Sequence, residues 1–218
     1  MLPPARLTAA ALTATAALLL TACGSGGGDD SSSDKIAGAD TGKSASPSPS
    51  APAPADGIDR PEVRLPDDMK LVFEDRETGD AQKDAILADN ERAVSTVWQA
   101  MAYGDLKKSG MAFYYTDVAL MGVYDYAKNN IAKNTSWAGT LRYYDRKVTV
   151  FSKTSAAVTY CVDESKADLK DRKTNKLQRT KTSSNSYVYY NTAVKKNEDG
   201  VWQIRDLYEE RGSQKCRA

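Results

Sequence analysis

From residue 81 the chain repeats apolar side chains at a helical interval. Ile86, Val94, Val97, Trp98 and Met101 share one face, while Asp84, Glu91, Ser95 and Gln99 fall away from it. The pattern predicts a helix over 81–102. Asp80 is placed to cap its start, and Gly104 can end it in the left-handed conformation. Residues 111–115 predict a short helix. Leu120, Val123, Tyr124, Ala127 and Ile131 then predict a longer one ending near 133, with Thr116 or Asp117 as its cap. Gly122 inside it costs about 1 kcal/mol relative to Ala, which a close helix–sheet contact would excuse. After Asn134 the period shortens to two. The Tyr-, Thr- and Val-rich runs 137–152, 156–162, 184–194 and 201–207 read as strands, the last two joined by the turn Asn197-Glu198-Asp199-Gly200. Residues 69–73 alternate apolar and polar side chains and read as a short lead-in strand. Helices first and antiparallel strands afterwards predict an α+β domain, with the helices packed on a curved antiparallel sheet of about four strands.

Upstream of this domain the periodicity disappears. Residues 24–66 are dominated by Gly, Ser, Pro and Ala, and all eight prolines lie at or before Pro66. Such a stretch has too little apolar surface to offset the entropy of ordering it. It is expected to be a disordered tether over 23–66, with an r.m.s. span of roughly 35 Å, leading to a domain at 67–218. Earlier still, Arg6 precedes an uncharged run of Ala, Leu and Thr ending at Leu20-Thr21-Ala22-Cys23. The run is about 14 residues, short of the roughly 20 that a membrane-spanning helix needs. It has the layout of a secretory signal over 1–22. Its end resembles the lipobox of bacterial lipoproteins. That resemblance implies that Cys23 is acylated on sulfur, becomes the new N-terminus and holds the protein outside the cytoplasm on the membrane.

Charge and rare residues narrow the chemistry. The formal charge is +1, with no basic excess of the kind a nucleic-acid surface needs. No histidine is present, which removes a Ser-His-Asp triad and any His-ligated metal. No metal or cofactor is expected. With Cys23 acylated, Cys161 and Cys216 remain as an even pair in an oxidising compartment. They read as a disulfide stapling a strand to the C-terminal tail. The rival readings are free thiols or a metal pair, and two cysteines without histidine make a poor metal site.

The capped helices, the long strands and the closing Gly200-Val201-Trp202-Gln203-Ile204 resemble the nuclear transport factor 2-like superfamily. Cys161-Val162-Asp163, the charged segment 171–176 and the terminal cysteine resemble, more narrowly, secreted lipoproteins of high-GC Gram-positive bacteria. The resemblance implies a cone whose concave sheet and helices enclose a pocket. Some members are polyketide cyclases or ketosteroid isomerases, and many are binding or scaffold domains. Candidate pocket residues are Trp98, Tyr114, Trp137, Tyr143 and Asp163. Trp202 is a further candidate, although each tryptophan also suits a core. Proton transfer would use Asp163 or Asp145 with Tyr114, Tyr143 or Tyr160. Against that, tyrosines fill strands well and an aspartate beside a loop is usually solvated.

A basic stretch over 166–181 is expected to protrude between two strands. Its Lys170, Arg172, Lys173 and Lys176 would meet an anionic envelope polymer or lipid headgroups, or else form a solvated hairpin end. The reading that follows is a lipid-anchored, non-catalytic binding or scaffold protein of the cell envelope. Its partner would be an envelope protein, an anionic polymer or a small ligand. The alternatives are an acid–base isomerase or cyclase in the pocket, and a module that forms homodimers through the open face of its sheet.

Overall fold

Caps decide where the long helix begins and ends in this computed structural model, which describes residues 56–216. Helix α1 spans Ala81–Tyr103, and the Asp80 carboxylate accepts from the backbone N–H groups of Gln82 and Lys83. Gly104 closes it at φ 71°. The Arg172 guanidinium packs where a Cβ on Gly104 would stand, so the position favours glycine twice over. Helix α2 is the single turn Met111–Tyr114, and α3 spans Asp117–Ala132. The close contact expected at Gly122 is absent, because a Cβ there would meet nothing within 4 Å. The signal segment, Cys23 and the tether up to Ala55 lie outside the described residues.

The strands are β1 (Met69–Phe73), β2 (Thr135–Val150), β3 (Ser155–Asp171), β4 (Leu177–Gln178), β5 (Tyr187–Lys196) and β6 (Trp202–Arg211). Their order is β1-β2-β3-β5-β6, with β4 paired to β3. All pairings are antiparallel except β1 on β2. The sheet is curved and unclosed and carries two more strands than expected. One addition is β1, which the pattern showed only as a lead-in. The other is β4, which pairs with an unexpectedly long β3. Residues 166–171 are strand rather than loop, because their backbone pairs with β2 from Lys166 opposite Thr140 to Asp171 opposite Thr135. Gly139 permits that approach. It sits at φ 112°, and a Cβ there would lie 2.2 Å from the Lys166 carbonyl oxygen.

Two register shifts bend β2, between Thr140 and Arg142 and between Tyr144 and Lys147. At the second, Asp145 takes φ 51° and Arg146 enters the core. There Arg146 Nη1 donates to Glu91 Oε1 at 2.6 Å, and Nη2 donates to the Leu87 carbonyl at 2.9 Å. Glu91 therefore does not belong to the solvent face that its spacing suggested. It is buried with Asp89 and Asn90 on the inner side of α1.

The apolar core lies between the helices and the concave sheet face, around Ile86, Leu87, Met111, Val158, Trp202 and Ile204. Residues 58–66, assigned to the tether from composition, lie on this domain. Ile58 and Leu65 pack on the core, and Arg60 Nε donates to buried Asp89 at 3.2 Å. On the outer face of the sheet, Tyr144, Cys161 and Tyr189 stand in register across three strands. The Cys161 and Cys216 sulfurs are at bonding distance, 1.96 Å, which lays the chain end over that row. The Tyr144 hydroxyl donates to the Cys216 carbonyl, and Lys215 stacks on the Tyr189 ring.

Candidate ligand-binding cavity

Alternation along four strands places one aromatic row on the concave face. Phe73 of β1 pairs directly with Tyr143 of β2, and Tyr160 of β3 with Tyr190 of β5. The Phe73 and Tyr143 rings stack at 4.5 Å, and Tyr160 and Tyr190 at 5.0 Å. Tyr143 reaches Tyr160 diagonally at 6.0 Å. Cross-strand aromatic pairs of this kind stabilise a sheet and hold each ring in place. From α1, Trp98 Nε1 donates to the Tyr143 hydroxyl at 2.8 Å. From α3, Tyr126 meets Trp98 edge-on at 6.3 Å.

These elements enclose a cavity of about 410 Å³ walled by Tyr115, Tyr126, Tyr143, Tyr160 and Tyr190, with Val94, Val97, Val123 and Leu207 between them. Gly122, Asp206 and Glu209 also line it and are exposed, which puts them on its solvent side. Burial pushes the phenols up. Tyr115, Tyr143 and Tyr190 rise well above the ordinary phenol value, while Tyr126 is 48 % exposed. They are therefore neutral hydrogen-bond donors at physiological pH. Glu164 is the carboxylate that β3 brings inward. Both of its oxygens are held by Arg211, Nη1 at 2.5 Å and Nη2 at 3.2 Å. That bidentate contact also raises the pKa of Arg211. Across α3 lies a wider hollow of about 580 Å³ among Leu106, Met111, Phe113, Met121 and Tyr124, with none of the sheet phenols in its walls.

Of the residues singled out from sequence, Trp98 and Tyr143 line the cavity, and Tyr160 joins them. Tyr114 does not. It is the last residue of α2, buried beside Phe113, with its hydroxyl unpartnered among the described residues. Trp137 packs against Trp98 at 5.5 Å and faces a neighbouring compartment. Trp202 is core, and its backbone N–H donates to Asp89. Asp163 alternates to the face of β3 opposite Glu164 and accepts from the Ser165 N–H at 2.8 Å. Asp145 is exposed and pairs with Lys147. Neither aspartate reaches the cavity. Tyr115, Tyr126, Glu164 and Arg211 escaped the sequence reading. The one available signal was that Glu164 lies four residues from Tyr160, on the same strand face.

Lys170 and Arg172 are engaged within the domain. Lys170 Nζ bonds Asp68 at 2.7 Å, and Arg172 packs on Gly104. Lys173 and Lys176 are exposed at the turn between β3 and β4. Among the described residues no group of three or more acidic or thiol side chains is placed to hold a metal ion. No helix among them is long and apolar enough to cross a membrane.

No family model and no curated relative matches the chain. Solved structures do resemble it. A ketosteroid isomerase-like protein from Erwinia carotovora atroseptica is similar at 14 % identity and TM-score 0.37, over 56 % of this chain and 93 % of its own. An NTF-2 like protein of unknown function from Shewanella oneidensis is similar at 17 % identity and TM-score 0.34, over 56 % and 95 %. A protein from Catenulispora acidiphila is similar at 7 % identity and TM-score 0.40, over 59 % and 93 %.

Proposed function

We propose that this chain is a lipid-anchored, extracytoplasmic binding protein of the cell envelope, whose nuclear transport factor 2-like cone holds a small, flat, largely apolar ligand. The observation that carries the reading is the cavity. Its volume of about 410 Å³ falls within the usual range for small-molecule sites, and its floor is a ladder of aromatic rings. A planar ring system would pack against Tyr190 and Tyr126, the less buried of the lining tyrosines. One acceptor oxygen on it would receive a phenol O–H. Holding the ligand is favoured over turning it over by the state of the lining carboxylates. Glu164 is tied through both oxygens to Arg211, while Asp206 and Glu209 are exposed, and a general base is poorly served by either an ion pair or open solvent. The Leu20-Thr21-Ala22-Cys23 segment supports the address, and the Cys161–Cys216 pair suits an oxidising compartment.

The test is a titration of the full chain with 2-naphthol, followed by the fluorescence of the naphthol. Saturable binding is expected, together with its loss in Gly122→Trp, which fills the opening. A wild-type chain that binds no naphthol, or a variant that binds it equally well, would sink the reading. The anchor is checked separately: Cys23→Ser should abolish incorporation of labelled palmitate and move the protein from the membrane to the soluble fraction.

A further inference from the structure

Beside the phenol-lined cavity lies a second compartment of about 320 Å³, and the two share Trp98, Tyr126, Glu164 and Arg211 as a common wall. Their chemistry differs. The second is edged by Asn130, Thr135, Ser136, Thr180, Ser183 and Asn185, which are neutral groups able to donate and accept, and at its rim by the exposed Lys181. Its acids are already bound: Glu164 to Arg211, and Asp168 to Arg179 and to the Thr180 N–H. One corner is made by two indoles at 86°, Trp98 and Trp137. Trp137 is 5 % exposed, and its Nε1–H finds no acceptor among the described residues. A buried donor left in that state favours any ligand that brings an oxygen to it.

We infer that the ligand has two halves, a flat apolar ring system in the first cavity and an uncharged, hydroxyl-rich ring of the sugar type in the second, with an oxygen of the second half accepting from Trp137. Most of the edge is neutral hydroxyl and amide, and of its two cations Arg211 is already held by Glu164 while Lys181 is exposed at the rim, so the lining suits such a ring better than it suits an anion. The covalent link between the halves would pass the Glu164–Arg211 pair. The inference rests on the binding reading above and names the class of ligand for that site: an aryl glycoside.

Calorimetric titration of the full chain with 2-naphthol and with 2-naphthyl β-D-glucopyranoside tests it. The glucoside is expected to bind at least tenfold more tightly. Trp137→Phe should weaken the glucoside by about three- to tenfold, the worth of one hydrogen bond, and leave naphthol unchanged. Ala167→Leu, which fills the second compartment from β3 without touching the first, should remove the glucoside's advantage even if the tryptophan variant fails to fold. Equal affinity for the two probes, or an advantage that survives both substitutions, overturns the inference while the binding reading stands. Failure of naphthol itself to bind overturns both.

Discussion

Arg146 carries a full charge on a side chain with 0 % exposure. Burial pulls its pKa down, and Glu91 opposes that pull. The guanidinium is tolerated because Glu91, the Leu87 and Glu74 carbonyls and the Phe73 ring surround it. Removing one partner leaves an uncompensated buried charge, so Glu91→Gln is expected to cost about 3–5 kcal/mol in urea denaturation. Replacing both, as Glu91→Leu with Arg146→Met, should cost less than either single change, which a double-mutant cycle would show. Helical spacing placed Glu91 on the wet side of α1, because its partner lies 55 positions away and turns inward only at a bulge.

The phenols give a pH dependence of definite sign. Burial raises the phenols of Tyr115, Tyr143 and Tyr190 well above their ordinary value in the folded chain. In the unfolded chain a phenol titrates near 10. Below that pH both states hold the proton and stability is unaffected. Above it the unfolded chain loses protons first, so stability falls as pH climbs from about 10 toward the folded values. Phenolate absorbance should therefore rise for these rings only as the circular dichroism signal collapses. Full ionisation of every tyrosine with the fold intact would contradict the burial of these rings.

At the scale of elements, α3 stands apart. It fully buries only Ala119 and Ala127, while Val118 and Met121 remain exposed. It also divides the phenol cavity from the wider apolar hollow. Gly122 explains part of this arrangement. Open space where its Cβ would be keeps the opening wide, at the expense of helix propensity. Gly122→Ala is thus expected to stabilise the protein by about 1 kcal/mol, a rise in Tm of about 3 °C, and to leave the sheet unchanged. A fall in Tm would show that the glycine meets a constraint beyond the opening. The ends of α1 were legible because Asp80 and Gly104 act within one turn. The length of β3 was not, because its charged outer half looks like a loop until β2 pairs with it.

For the whole molecule, the clamp between Cys161 and Cys216 matters most. It closes a separation of 55 positions over the Tyr144–Cys161–Tyr189 row. In the chain-entropy model such a closure is worth about 4 kcal/mol. Cys216→Ser should lower stability by about that amount and free the chain end from the outer sheet face, seen as faster amide exchange at Gln214 and Lys215. An unchanged denaturation midpoint would mean that the end is held by its hydrogen bonds alone.

Local order along the chain was enough to determine the α+β class, the limits of α1 and the hairpin at 197–200, because each depends on neighbours within a few positions. Three thiols allow three pairings, so Cys161 with Cys216 was expected only with Cys23 acylated, and folding is what brings those two sulfurs to bonding distance. Folding alone decided which tyrosines share a cavity, that Glu164 rather than Asp163 faces it, that Arg211 holds that carboxylate, and that residues 58–66 join the domain. The reason is geometric. A strand residue's face follows from register and from bulges, and both are set by hydrogen bonds to residues distant in sequence.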